Sequence, residues 1–88
     1  MIFNIEQFKK KIIYRSNYRG TKEMDKLLGA FTKKYINSLD LSELSNLLNL
    51  LNIDDENLYK FKQNQKTTVE FENNNINFLF KNFKYNEK

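Results

Sequence analysis

The sequence contains no cysteine and no histidine. Without cysteine there is no disulfide, no thiolate nucleophile and no cysteine-based zinc or iron–sulfur site. Without histidine the chain lacks the commonest general base and the commonest transition-metal ligand. A catalyst built from this composition would depend on carboxylates, lysines and hydroxyl groups. The two absences argue against most forms of catalysis, so we expect neither catalytic residues nor a metal site.

Proline is also absent, and glycine occurs only as Gly20 and Gly29. Helices should therefore be ended by capping side chains and by Gly20 rather than by proline. No apolar run approaches the ~20 residues of a membrane-spanning helix, and the first residues lack the charged-then-apolar order of a signal peptide. We expect no membrane insertion. Together with the missing cysteine, these features predict a protein of the bacterial cytoplasm.

The residues that are present fit a small helical domain. The chain has 88 residues, of which 40% are hydrophobic and 30% charged, a balance typical of a folded protein with a thin core. We predict one domain over residues 1–88 and a monomer. The net charge of +4 is modest and acidic residues are interspersed, which does not favour a dedicated nucleic-acid-binding role.

Two amphipathic helices joined by a short turn are predicted in the N-terminal half. The first should run from about Ile5 to Tyr18 and stop at Gly20, which can adopt the left-handed conformation that closes a helix. Thr21 or Gly20 should cap the second helix. Because the Arg19-Gly20 turn is short, the two helices should pack as a hairpin. The apolar positions of the second helix are Met24, Leu27, Leu28, Phe31 and Tyr35.

Three further helices are predicted in the C-terminal half. Asp40 and Glu43 resemble a capping box at the start of the third helix. Asp54 or Asp55 should cap the fourth. The last segment has some strand propensity, but a lone strand would have no partner strand to pair with. We therefore favour a fifth helix, from about Glu72 to Phe83. The expected fold is all-α, a small five-helix bundle.

The junction of the first two helices, from Tyr14 to Asp25, brings aromatic, cationic and acidic side chains together. One interpretation is structural: Gly20 supplies the turn, and Arg19 pairs with Glu23 or Asp25 across it. The other is a recognition edge, because arginine and tyrosine are enriched at binding hot spots and Gly20 would let another backbone approach closely. The residues alone leave both interpretations open.

At this junction the sequence resembles the FAD assembly factors of succinate dehydrogenase, the SdhE family. That family has a first helix ending in Arg-Gly-x-x-Glu and an apolar second helix, here Arg19-Gly20-Thr21-Lys22-Glu23 followed by Leu27-Leu28. The likeness is close from Lys11 to Phe31 and looser around the fourth helix, where Glu56 and Phe61 stand in place of the usual proline and tryptophan. The C-terminal third departs most.

The resemblance implies a five-helix bundle that binds the flavoprotein subunit of succinate dehydrogenase, or in some bacteria that of fumarate reductase. It implies that the protein promotes covalent attachment of FAD to a histidine of that subunit. The chemistry would belong to the flavin and its acceptor, and this chain would hold no tightly bound cofactor. Carried over by position, the partner-binding residues would be Arg19, Gly20, Glu23 and Asp25, flanked by Tyr14 and Arg15.

Two other functions stay open on the sequence alone. A helical adaptor or antitoxin-like binding protein unrelated to flavinylation would capture a toxin rather than a flavoprotein. A small nucleic-acid binder would use the Lys9–Lys11 face, and its binding would weaken steeply with salt.

Overall fold

Five α-helices make up the described part of the chain, residues 4–85 of the computed structural model. The helices are α1 Ile5–Asn17, α2 Lys22–Tyr35, α3 Leu41–Leu51, α4 Asp55–Lys62 and α5 Asn75–Asn82, with a 3-10 turn at Ile36–Ser38 after α2. The predicted all-α five-helix bundle is confirmed. None of the described helices is long and apolar enough to cross a membrane.

A polar side chain caps the start of each of these helices. Each accepts a hydrogen bond from a backbone N–H two or three residues further on, which satisfies a donor that the helix leaves unpaired. Asp40 and Glu43 form the complete capping box, with bonds of 2.8 and 3.3 Å. The five capping residues are Asn4, Thr21, Asp40, Asp54 and Asn74.

The fifth helix begins at Asn75, three residues later than predicted. The side chain of Asn74 accepts the N–H of Asn77 at 2.8 Å, and the Asn77 amide donates to the carbonyl of Glu72 at 2.8 Å. These bonds hold residues 72–74 as a turn leading into the helix. Asn74, the middle residue of three consecutive asparagines, therefore has a structural role as the cap of α5.

Every helix contributes to one buried core. Phe31 of α2 lies at its centre, with its ring centroid 5.1–5.4 Å from those of Tyr35, Phe80 and Phe83, distances typical of favourable aromatic pairs. The fully buried apolar residues around it are Ile12, Leu28, Leu44, Leu47, Leu50, Leu51, Leu58, Ile76 and Phe80. The apolar face predicted for the second helix is thus the face that packs.

The connection between α4 and α5 is tied down by Asn57, a buried polar residue. Its amide nitrogen donates to Asp54 Oδ1 at 2.7 Å and to Thr68 Oγ1 at 3.0 Å, and its oxygen accepts the N–H of Thr68 at 2.8 Å. The rings of Phe61 and Phe71 stack with centroids 4.0 Å apart. These contacts fix the connection between α4 and α5 although it is not helical.

Candidate docking surface

Gly20 forms the turn between α1 and α2. Its φ of +121° lies in a region that residues with a side chain rarely adopt. A Cβ added at this position would have no atom within 4 Å, so the backbone conformation, and not crowding, selects glycine here. The open space also leaves the turn accessible to a partner. Both roles predicted for Gly20 are therefore compatible with its geometry.

The side chain of Arg19 points inward, to the corner between α3 and α4. Its Nε and Nη2 both lie 3.0 Å from Asp55 Oδ1. Nη2 also donates to the Ile53 carbonyl at 2.7 Å, and Nη1 donates to the Leu51 carbonyl. Only 10% of the side chain is exposed. Arg19 thus satisfies carbonyls that the end of α3 leaves unpaired and pairs with the first turn of α4.

The ion pair expected between Arg19 and Glu23 or Asp25 does not form, because Asp55 takes the guanidinium instead. Asp25 has another role: its carboxylate accepts the backbone N–H of Arg19 and closes the turn. Arg19 and Asp25 therefore fasten the α1–α2 turn to itself and to the rest of the bundle. Sequence separation explains the missed partner, since Asp55 lies 36 residues from Arg19.

Two tyrosines, Tyr14 on α1 and Tyr18 at its C-terminal cap, face outward beside this turn. Tyr14 is 59% exposed and Tyr18 is 72% exposed. They are four residues apart, which places them on one side of α1, and their ring centroids are 4.7 Å apart. Large aromatic side chains that stay uncovered in this way are typical of binding hot spots. Tyr18 was absent from the predicted partner-binding residues, although its spacing from Tyr14 indicates the pair.

Arg15 and Glu23 add charge to the same junction. Arg15 is exposed, and its guanidinium donates to Asn52 Oδ1 just beyond α3. Glu23 lies exposed in the first turn of α2, where the helix dipole favours a carboxylate. Within residues 4–85 no hydrogen bond or ion pair engages that carboxylate. We call five of the exposed residues of the junction the outer edge: Tyr14, Arg15, Tyr18, Gly20 and Glu23.

The Lys9–Lys11 face differs from the basic face that the nucleic-acid alternative requires. Lys9 is partly buried, and its Nζ lies 3.4 Å from Asn37 Oδ1 and 3.9 Å from Glu6 Oε2. One of the three ammonium groups is thus already engaged with side chains of the bundle. No observation favours nucleic-acid binding over docking at the outer edge.

A family model described as the flavinator of succinate dehydrogenase matches residues 10–84. A curated relative from Arabidopsis thaliana, named succinate dehydrogenase assembly factor 2, mitochondrial, is 32% identical over 60 residues. That alignment covers 68% of this chain and 32% of the relative, so the chain spans about a third of the length of the curated relative it matches. No solved structure matches the chain.

Proposed function

The chain belongs to the flavinator family of succinate dehydrogenase assembly factors, and on that premise we propose that it binds the flavoprotein subunit of succinate dehydrogenase and promotes covalent attachment of FAD to it. The family match carries this proposal, because it extends over residues 10–84 and so includes the whole α1–α2 junction. The flavoprotein subunit of fumarate reductase is a second client of the same kind.

We propose that the outer edge makes the central contact with the client. The Tyr14 and Tyr18 rings offer apolar area at low entropic cost, as aromatic anchors do. Arg15 and Glu23 carry opposite charges, which would orient the client and add affinity where they pair with charged groups of the client. Arg19 and Asp25 contribute by holding the turn in place, which refines the predicted set of partner-binding residues.

In this proposal the chain has no catalytic residues and binds no FAD of its own. The flavin and its acceptor in the client supply the reactive groups. This chain has only two glycines and no histidine or cysteine, and it lacks the Gly-x-Gly-x-x-Gly fingerprint of dinucleotide-binding folds. Its contribution would be binding energy that favours an attachment-competent conformation of the client.

The binding energy needed to shift the conformation of the client is modest. A client conformation populated at ~1% becomes about as populated as its competitor if the factor binds it ~100-fold more tightly, a difference of ~2.7 kcal/mol. One or two well-buried aromatic anchors provide contributions of this size. The bacterial cytoplasm and the monomeric state stay predictions; the name of the plant relative places that relative in mitochondria.

Binding to the purified apo-flavoprotein subunit of succinate dehydrogenase tests the proposal. We expect Tyr18→Ala and Glu23→Ala to raise the Kd by about tenfold or more, since hot-spot truncations cost ~2 kcal/mol or more. Phe78→Ala is the matched control, because Phe78 is 64% exposed on α5, a helix that packs on α3 and α4. No binding by the unsubstituted chain, or equal effects of Phe78→Ala and Tyr18→Ala, would contradict the proposal.

A further inference from the structure

The corner between α3 and α4, residues 51–55, supplies acceptors to two arginines of the α1–α2 hairpin. Arg15 donates to Oδ1 of Asn52, the C-cap of α3. Arg19 donates to two backbone carbonyls of the corner and to the carboxylate of Asp55, the first residue of α4. Both arginines therefore tie the hairpin to a segment that lies more than thirty residues further along the chain.

Each of these arginines directly follows one of the two exposed tyrosines. The order Tyr14-Arg15 recurs four residues later as Tyr18-Arg19. The tyrosine rings are exposed, with their centroids 4.7 Å apart, whereas both guanidinium groups reach the corner. The backbone that carries each ring is thus fixed, at the next residue, by a side-chain bond to another part of the bundle.

The link from Arg19 is the stronger of the two. The side chains of Arg19 and Asp55 are 10% and 24% exposed, and Nη2 and Nε of Arg19 both lie 3.0 Å from Asp55 Oδ1. Arg15 and Asn52 are both exposed, so water competes for their hydrogen bond and leaves it a small net contribution. Asp55 is therefore the residue of the corner whose loss should release the hairpin most.

Asp55 also compensates an unfavourable charge. It lies in the first turn of α4, at the positive end of the helix dipole. That end repels a guanidinium unless a carboxylate compensates it. Without the Asp55 carboxylate, Arg19 would be held in the corner by carbonyls alone. It would leave the corner more readily, and the turn that contains it would move with it.

We propose that Asp55 is a positioning residue for client docking, which acts through Arg19 to hold the Tyr14 and Tyr18 rings in the arrangement that the flavoprotein subunit binds. This inference rests on the proposed function and adds to it a residue of α4, outside the Arg-Gly-x-x-Glu motif. Asp55 itself contacts no group of the client. It raises the fraction of molecules whose outer edge is ready to bind, and the apparent Kd varies inversely with that fraction.

Binding of the apo-flavoprotein subunit by matched variants, at a temperature where each variant is folded, tests the inference. We expect Asp55→Ala to raise the Kd about tenfold, as it would if the outer edge were ready to bind in about one molecule in ten. Asp55→Asn keeps an oxygen acceptor for Arg19 and should raise the Kd less.

Asp40→Ala is the matched control for these variants. It also removes a carboxylate from the start of a helix, but at the end of α3 opposite to the corner, where Asp40 forms a capping box with Glu43. Its Kd should equal that of the unsubstituted chain. An unchanged Kd in Asp55→Ala, or equal rises in Asp55→Ala and Asp40→Ala, would overturn the proposal.

A double-mutant cycle separates positioning from direct contact with the client. If Asp55 acts by holding the Tyr18 ring in place, its truncation should matter much less once that ring is removed. We expect Asp55→Ala to raise the Kd by less than about threefold in the Tyr18→Ala background. A rise of about tenfold in both backgrounds would mean that Asp55 contacts the client itself, and would overturn the proposal.

Hydrogen exchange tests the positioning role without the client. The Arg19 N–H donates to the Asp25 carboxylate and closes the turn, so its exchange rate reports how well this segment is ordered. In Asp55→Ala this N–H should exchange about tenfold faster, and in Asp40→Ala it should exchange as in the unsubstituted chain. Unchanged exchange in Asp55→Ala would overturn the proposal even if binding is weakened.

The two readouts also distinguish failure of this inference from failure of the proposed function. If the unsubstituted chain does not bind the subunit, the proposed function itself fails. If the chain binds, but the exchange at Arg19 or the cycle with Tyr18 gives the contrary result, only the positioning role of Asp55 is overturned.

Discussion

At the scale of single residues, the Arg-Gly-x-x-Glu motif contains one charged residue that stabilises the fold and one that is exposed to solvent. Arg19 holds carbonyls of Leu51 and Ile53 and the carboxylate of Asp55, whereas Glu23 faces solvent. The sequence predicts that both matter. It does not predict their different surroundings, because the partners of Arg19 lie more than thirty residues away along the chain.

This division predicts different effects on stability. Arg19→Ala should lower the free energy of unfolding by about 3 kcal/mol, because it leaves a partly buried carboxylate and two carbonyls without their donor. Glu23→Ala should change it by less than ~0.5 kcal/mol, as most exposed substitutions do. Urea unfolding followed by circular dichroism measures both. Equal stability of the two variants would show that the Arg19 contacts contribute little.

A second residue-scale prediction concerns Thr32, whose buried hydroxyl has no hydrogen-bond partner within the described residues. Thr32→Val keeps the shape and removes the unpaired polar group, so it should raise the free energy of unfolding by about 1 kcal/mol. Thr21→Val is the matched control: the Thr21 hydroxyl accepts the N–H of Met24 and caps α2, and its loss should cost about 1 kcal/mol. Destabilisation by both substitutions would mean that Thr32 is paired.

At the scale of helices, local signals predict most of the architecture. The Asp40–Glu43 capping box and the apolar series of α2 are each contained in one segment, so the sequence reveals them. The start of α5 depends on a contact between Asn77 and the Glu72 carbonyl, and the α4–α5 connection depends on Asn57 reaching Thr68. The first contact is local and the second joins two segments, but both are polar contacts that hydrophobic periodicity does not encode.

The Asp54 cap of α4 predicts that the stability of the fold decreases at acidic pH. Hydrogen bonds from the side chain and backbone of Asn57 hold the pKa of Asp54 below its ordinary value of 3.8. The unfolded chain therefore binds this proton more readily than the folded one. The stabilisation is complete above the ordinary pKa and is lost as the pH falls through the lowered one.

Replacing Asp54 by asparagine tests whether this carboxylate contributes to the loss of stability in acid. Asp54→Asn keeps a capping oxygen but does not titrate, so its melting temperature should fall less than that of the unsubstituted chain between about pH 4 and pH 2. Because Asp54 is exposed, we expect the difference in melting temperature between the two proteins to be small. Thermal unfolding at several pH values measures it, and identical pH dependence in the two proteins would exclude a contribution from Asp54.

At the scale of the whole molecule, one face of the α1–α2 hairpin packs on the core while exposed residues lie on its outer side. Both the fold and the family can be predicted from the sequence, because the apolar faces of the helices and the Arg-Gly-x-x-Glu motif are local patterns. The outer edge can be predicted only in part: Tyr14 and Glu23 follow from the motif and its flanks, and the four-residue spacing indicates Tyr18, whereas the burial of Arg19 between them requires the packed helices.

Covalent flavin attachment tests the central claim most directly. The apo-flavoprotein subunit of succinate dehydrogenase is incubated with FAD, with or without this chain, and the covalently bound flavin is read by fluorescence after denaturing electrophoresis. We predict strong fluorescence with the unsubstituted chain and with Phe78→Ala, and about tenfold less with Tyr18→Ala or Glu23→Ala. Equal fluorescence with and without the chain would contradict a role in flavinylation.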